Sequence, residues 1–261
     1  MPDTLRLAVL GDPIEHSRSP DIHNAAIRHI GLEGGYEARR AGSAELEQAV
    51  AELKVGSLDG INVTMPLKGE AARLAEVLTP EAEKSGSVNA LRHRQGQVEG
   101  HSTDVIAARL ALSDRRFATS APILILGSGG AAAAVMVGGA DRVLFLSARN
   151  NGRAAGLAHR VGGDVGMIPF GSGVTGAVVV NATPLGMSGE PLPEDVIAPA
   201  SGLIDLAYAD EETPAVARAG KSKLAVMDGV EFLVLQAAAS FEWWTGMTAP
   251  LEVMLRAAKK P

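Results

Sequence analysis

The chain has 261 residues, 46% of them apolar and 21% charged, with a net charge of −6, 3% aromatic residues and no cysteine. That length favours two domains at roughly 100–200 residues each, and the apolar share suffices for cores of Leu, Val, Ile, Ala and Met. The composition excludes disulfides, thiolate metal sites and cysteine nucleophiles, and the absence of a basic stripe argues against a nucleic-acid partner.

The first apolar run, "LRLAVLG", reads as a strand. Acidic residues come too early before and after it for a secretion signal, and no apolar run approaches the ~20 residues that span a bilayer. A cytoplasmic protein is therefore expected. "SPDIHNAAIRHI" reads as a helix with Ser19 as its cap and Pro20 in its first turn. "GYEARRA" is a weak strand, and "SAELEQAVAEL" an amphipathic helix whose Glu45 and Glu47 suit the positive end of its dipole. In "GINVTMPLKGE" an apolar strand stops at Thr64, crosses Pro66 and delivers Lys68 where the helix "KGEAARLAEVL" should begin. Strands alternating with helices favour a mostly parallel sheet. "GSVNALRHRQGQVEGHSTD" departs from that alternation: two extended runs flank the turn signal "RQGQ", and a helix follows from Ser102 to about Leu112. The polar run "SDRRFATSAP" is the best linker candidate.

Beyond it the strand–helix pattern restarts. "ILILGSGGAAAA" sets Gly127, Gly129 and Gly130 between a strand and a helix, and a second strand, "RVLFLSARN", follows. Strand, glycines, helix and strand together are the context in which a pyrophosphate can approach the backbone at a helix N-terminus. An NAD site would carry an acid about 20 residues on, at the second strand's tip. That tip carries Arg149 instead, which matches the 2′-phosphate of NADP; the bland alternative is that Arg149 and Arg153 are solvated helix-start residues. The helix after Gly130 is short, reaching only about Val137 before "GGAD". "GRAAGLAHRV" is a helix, "AVVVNATPLGM" a strand running into a loop, and "GLIDLAY" and "KLAVMDG" are further strands. "VEFLVLQAAASFEWWTG" and "PLEVMLRAAKK" are the closing helices, with "FEWW" as an anchoring patch between domains. The histidines show neither His-x-x-x-His spacing nor an acidic cluster, so no metal site is expected.

Taken together and in order, "GDPIEHSRSPDIHN", "GINVTMPLK", "SVNAL", "HSTD", "GSGGAAAA", "SARN", "NATPLGM", "DLAY" and "DGVEFLVLQAAASFEWWTG" resemble the shikimate dehydrogenase family over nearly the whole chain. Another two-domain dinucleotide-binding enzyme would share the architecture but leave "HSRSP" with "NVTMPLK" unaccounted for. The resemblance implies an α/β protein of two domains. One is an N-terminal substrate domain with a mostly parallel sheet, residues 1–102 plus 236–261; the other is a Rossmann-like NADP domain, residues 103–235. It implies NADP rather than NAD as cofactor, a shikimate-like cyclic hydroxy acid as small-molecule partner, no nucleic acid or membrane partner, and a monomer or homodimer. By position, Lys68 and Asp104 would be the catalytic pair. Ser17, Ser19 and Tyr208 would lie at the substrate carboxylate, and Thr64, Asn89, Asp104 and Gln236 at the ring hydroxyls. Gly127, Gly129, Gly130, Arg149, Asn181 through Thr183 and Met187 would flank the cofactor.

The residue chemistry agrees. A polyhydroxylated acid is recognised by many short polar side chains, because a mismatched ligand leaves them unpaired. "SRS" before a helix offers two hydroxyls beside a helix N-terminus, which favours a carboxylate, although an ordinary cap would also explain Ser19. Interconversion of an alcohol and a ketone needs a group that takes and returns a proton, and a lysine held at a strand tip can serve both directions. Burial would push such a lysine toward the neutral base and a neighbouring carboxylate toward the ammonium, so the pair exchanges protons jointly. The alternative for Lys68 and Asp104 is a structural ion pair.

The chain departs from the family pattern in places. Ser102 stands for an Asn, Val105 and Ala107 for glycines, Ala90 for a Thr, Ala148 for an Asn, and Glu231 and Phe232 for a Gly and a Met. The expectation is a working substrate pocket with altered cofactor affinity, turnover or substrate range, quinate being a candidate relative of the substrate. A protein that has lost catalysis and keeps ligand recognition is the alternative, against which the retention of both Lys68 and Asp104 argues.

Overall fold

A computed structural model describes residues 4–259. The chain forms two compact units. The first runs to Ile106 and resumes at Val234; the second is Ala107–Leu233.

In the first unit β1 (Leu5–Gly11) is an inner strand, buried at every position but one. After it come α1 (Ser19–His29), β2 (Gly34–Arg40), α2 (Ser43–Lys54), β3 (Gly60–Val63) and α3 (Lys68–Leu74). Strands β2 and β3 lie parallel on either side of β1. Two differences from the sequence expectation are local. Ser19 is the first helical residue rather than the cap: Arg18 is the N-cap, with no side-chain cap. The Ser17 hydroxyl instead accepts from the Ser19 N–H at 3.4 Å. Secondly, α3 stops at Leu74, because Val77 and Leu78 form a short strand, β4 (Val77–Leu78), paired with Glu99 and Gly100. On α2, Glu45 reaches back to the Gly42 N–H at 2.8 Å, half of a capping box whose cap residue has no side chain.

Next comes α4 (Pro80–Ser85), with Thr79 as cap, Pro80 in its first turn and a left-handed Gly86 as its stop. The hairpin of β5 (Ala90–Arg94) and β6 (Gln97–His101) turns on Gln95 and Gly96, with φ of 53° and 79°. Two successive positive φ values are what a two-residue hairpin with right-handed twist requires. The sheet order is β2-β1-β3-β5-β6-β4, parallel at three junctions and antiparallel at β3–β5 and β5–β6. Its core includes Leu10, Leu46, Leu53, Ile61, Val63 and Leu91.

The chain passes into the second unit within α5 (Thr103–Leu112). The polar segment 113–122, expected as a linker, belongs wholly to this unit: Phe117 is 4% exposed and its ring would lie 2.8 Å from a Cβ on Gly202. The remaining elements here are β7 (Ile123–Leu126), α6 (Gly130–Gly138), β8 (Leu144–Ser147), α7 (Asn151–Val161), β9 (Val165–Ile168) and β10 (Val178–Asn181). They continue with α8 (Glu194–Ile197), β11 (Gly202–Asp205), α9 (Pro214–Lys221) and β12 (Ala225–Met227). The sheet is wholly parallel in the order β12-β11-β10-β7-β8-β9. Strands β7 and β10 are buried at every position, which is why "ILIL" and "AVVV" read as continuous apolar runs. This is the doubly wound order, with its switch point between β7 and β10, where such sheets bind ligands at the carboxyl ends of their strands.

Helix α10 (Gly229–Thr245) begins in the second unit and passes into the first, which α11 (Leu251–Ala258) completes by packing on α1. The patch expected between domains anchors α10 inside the first unit instead. Phe241 is fully buried, Trp244 donates to the Leu91 carbonyl at 3.1 Å, and Arg92 lies 4.1 Å over the Trp243 ring. Gly60 makes room for the Trp244 indole, which a Cβ would meet at 2.6 Å. Among the described residues no helix is long and apolar enough to cross a membrane.

Candidate active site

The first unit gathers a polar cluster at the carboxyl end of β3. Past Val63 the chain stays tied to β1 through the Thr64 N–H and the Leu10 carbonyl at 2.8 Å, then turns on a Leu67 N–H to Thr64 carbonyl bond of 2.9 Å. Buried Leu67 pins this turn, and Lys68 opens α3. Asp104 is the second residue of α5, where the helix dipole favours a negative charge. The Lys68 Nζ and Asp104 Oδ2 are 2.5 Å apart, with side chains 22% and 9% exposed. Such an ion pair is shielded from bulk water yet reachable by a ligand.

Asn89 organises the other side of the carboxylate. Its Nδ2 lies 3.0 Å from Asp104 Oδ1, 3.1 Å from Gln236 Oε1 and 2.9 Å from Thr103 Oγ1. Its Oδ1 accepts from the Thr103 N–H at 2.7 Å, which fixes the amide with its donors toward Asp104 and Gln236. Lys68, Asn89, Asp104 and Gln236 are thus joined by direct hydrogen bonds. Ser17, Ser19 and Thr64 lie in the same unit but, among the described residues, are not hydrogen-bonded to that cluster. Ser17 and Thr64 are half-buried, and Ser19 is buried. Thr64 leans on Gly11, where a Cβ would meet its Cγ2 at 2.3 Å, so glycine is required beside it. Behind the cluster stand Thr103, Ser240, Asn62 and Tyr36, which the sequence reading does not single out.

The second unit carries a separate set at the carboxyl ends of β7, β8 and β10. Gly127 has φ of +115°, and a Cβ there would lie 2.8 Å from the Ala182 carbonyl oxygen, so the turn after β7 demands glycine. At Gly129 a Cβ would meet nothing within 4 Å, and α6 starts there without a side-chain cap. An open approach to an uncapped helix N-terminus suits a diphosphate. Arg149 is exposed at the tip of β8, its guanidinium 5.7 Å from the Phe170 ring centroid. Asn150 caps α7 by accepting from the Arg153 N–H. These residues fit an anionic dinucleotide.

Asn181, at the end of β10, is buried and spends its amide internally: Nδ2 donates to Leu185 O and Asp205 Oδ1, and Oδ1 accepts from Thr183 Oγ1 at 2.6 Å. It shapes the loop that carries Thr183 and exposed Met187. Asp205 is itself buried, which raises its pKa above the ordinary carboxylate value, although bonds from Thr213 and Asn181 oppose the shift. Tyr208 follows β11 in this unit, its Cβ 3.0 Å from where a Gly229 Cβ would stand.

Two family models match the chain: the shikimate dehydrogenase substrate binding domain over residues 9–91, and the shikimate 5′-dehydrogenase C-terminal domain over residues 229–259. The chain is 35% identical to a shikimate dehydrogenase (NADP(+)) of Anaeromyxobacter sp. (strain Fw109-5), covering 99% of this chain and 97% of the relative. It is 37% identical to the enzyme of that name from Halorhodospira halophila, covering 95% and 97%. A solved structure of shikimate 5-dehydrogenase from Thermus thermophilus, in complex with NADP(H) and shikimate, superposes with a TM-score of 0.89 at 32% identity, covering 98% of this chain and 99% of that one. With such identity along nearly its entire length, the chain belongs to the shikimate dehydrogenase family.

Proposed function

We propose that the chain is an NADP-dependent oxidoreductase that interconverts shikimate and 3-dehydroshikimate, with Lys68 and Asp104 as its proton-transfer pair. In this reading the first unit binds substrate and the second binds the dinucleotide. Ser17 and Ser19 hold the substrate carboxylate, and Thr64, Asn89 and Gln236 hold its hydroxyls. Gly127, Gly129, Gly130 and the loop of Asn181, Thr183 and Met187 hold NADP, with Arg149 at its 2′-phosphate. The observation that carries the reading is the Lys68–Asp104 contact of 2.5 Å, backed by the Asn89 amide on the other carboxylate oxygen.

NADP, when bound, accepts or returns the hydride. The chain's own residues manage the proton and the pose. In alcohol oxidation the reacting hydroxyl passes its proton to the Lys68–Asp104 pair; in ketone reduction the pair returns it. Asp104 keeps Lys68 in place, and Asn89 keeps the carboxylate from rotating away. Short amides and hydroxyls around the ring discriminate by the penalty of leaving a buried polar group unpaired.

Steady-state turnover of shikimate and of quinate, each with NADP and with NAD, tests the proposal. The expected result is highest kcat/KM with shikimate and NADP. No turnover in any of the four combinations would overturn it.

A further inference from the structure

Ser240 lies one helical turn beyond Gln236 on α10, so both side chains share a face. It is fully buried, and its hydroxyl meets three groups: Thr103 Oγ1 at 2.9 Å, Asn62 Nδ2 at 3.0 Å and the Gln236 carbonyl oxygen at 3.0 Å. Asn62 has no freedom to turn away. Its Oδ1 accepts from the Tyr36 hydroxyl at 2.8 Å, and its second amide proton goes to the Asn89 carbonyl at 2.8 Å. Thr103 in turn meets Asn89 Oδ1 through its hydroxyl at 3.1 Å and its N–H at 2.7 Å. The hydroxyl of Ser240 is therefore the junction where α10, β3 and α5 are bonded together, directly behind the two amides that face the site.

We infer that Ser240, together with Thr103, is a positioning residue that seats Gln236 against Asn89 and so sets the reading of the substrate's hydroxyls. The inference rests on the proposed substrate site. Neither residue touches the reacting atoms. Without the Ser240 hydroxyl, an Asn62 N–H and the Thr103 hydroxyl lose a partner in a buried setting. The turn of α10 that presents Gln236 then loses its side-chain tie to β3 and α5.

A double-mutant cycle on the full-length enzyme tests this. Ser240→Ala is expected to lower kcat/KM for shikimate about ten-fold while leaving KM for NADP within about two-fold. In a Gln236→Ala background the same change is expected to add less than about two-fold, because its route to the substrate has already been cut. Full additivity, or an unchanged kcat/KM in folded Ser240→Ala, overturns the inference. Should Ser240→Ala fail to fold, Thr103→Val enters the cycle from the other side of the junction, with Thr103→Ser expected to keep wild-type rates. If both junction losses abolish folding, the role is structural and the inference falls. If Gln236→Ala and Asn89→Ala are themselves silent, the substrate-site reading fails instead.

Discussion

Lys68 opens α3 and Asp104 lies in the first turn of α5, so two helix starts aim one ammonium and one carboxylate at each other. Removing the ammonium should abolish proton transfer while sparing the fold, since Leu67 and Ala71 anchor α3 from its buried side. Lys68→Ala is predicted to lower kcat by about 10²–10⁴-fold, with the far-UV circular dichroism unchanged; wild-type turnover would reduce Lys68 to an ordinary ion-pair residue. Arg149 makes a second claim at this scale. Arg149→Ala should lower kcat/KM with NADP about ten-fold or more and leave NAD almost untouched; an unchanged NADP:NAD ratio removes Arg149 from the phosphate site. The residues of the pair were legible because each sits in a motif: Lys68 in "NVTMPLK", Asp104 in "HSTD". Thr103, Ser240, Asn62 and Tyr36 were not. A single hydroxyl or amide has no periodicity of its own, and only the meeting of β2, β3, α5 and α10 gives these four a common purpose.

Elements with strong local signals matched their expected places. The buried strands β1, β3, β7 and β10 and the glycine-marked start of α6 follow from apolar runs and turn chemistry. Short elements did not announce themselves. Strand β4 is two residues long and exists because β6 offers it an edge, and β9 is a half-exposed edge strand interrupted by Gly166. Helices α4 and α9 have complete start signals, Thr79–Pro80 and Thr213–Pro214, but too few residues for an apolar period to show. The departure at Glu231 acquires a physical role at this scale. Asp228 accepts from the Glu231 N–H at 2.8 Å, and Glu231 accepts from the Asp228 N–H at 3.3 Å and from Arg116 at 2.9 Å. This reciprocal box starts α10 and ties it to the segment after α5. Glu231→Ala should cost about 1 kcal/mol, measured by urea unfolding; a loss near zero would make the box ornamental. The β7–α6 turn is less forgiving. Gly127→Ala forces a left-handed φ on alanine and drives its Cβ toward the Ala182 carbonyl, so a loss of about 2 kcal/mol or more is expected, with weakened NADP binding. Wild-type stability in that variant would show that the turn can relax.

At the scale of the whole molecule, the first unit is assembled from both ends of the chain, so its stability depends on α1, α10 and α11 meeting. His23 stands where α1 meets α10. Its ring stacks on Tyr36 with centroids 4.2 Å apart and planes 5° apart, and lies 5.6 Å from Trp244 and 6.5 Å from Phe241. Both ring nitrogens are buried without a hydrogen-bond partner, and burial lowers its pKa from 6.5 to about 3. The aromatic neighbours are neutral, so a proton arriving on this ring finds no counter-charge among them. The folded state thus binds the proton less readily than the unfolded state. The neutral ring's contribution is complete above pH 6.5 and is lost progressively as pH falls from there toward 3. Between pH 7 and pH 5 this one group should remove about 2 kcal/mol of unfolding free energy. His23→Phe keeps an aromatic ring on Tyr36 and has nothing to protonate. Urea unfolding at the two pH values should show wild type losing about 2 kcal/mol more than the variant. Equal losses would mean that the buried imidazole finds a way to take up its proton without opening the seam between α1 and α10.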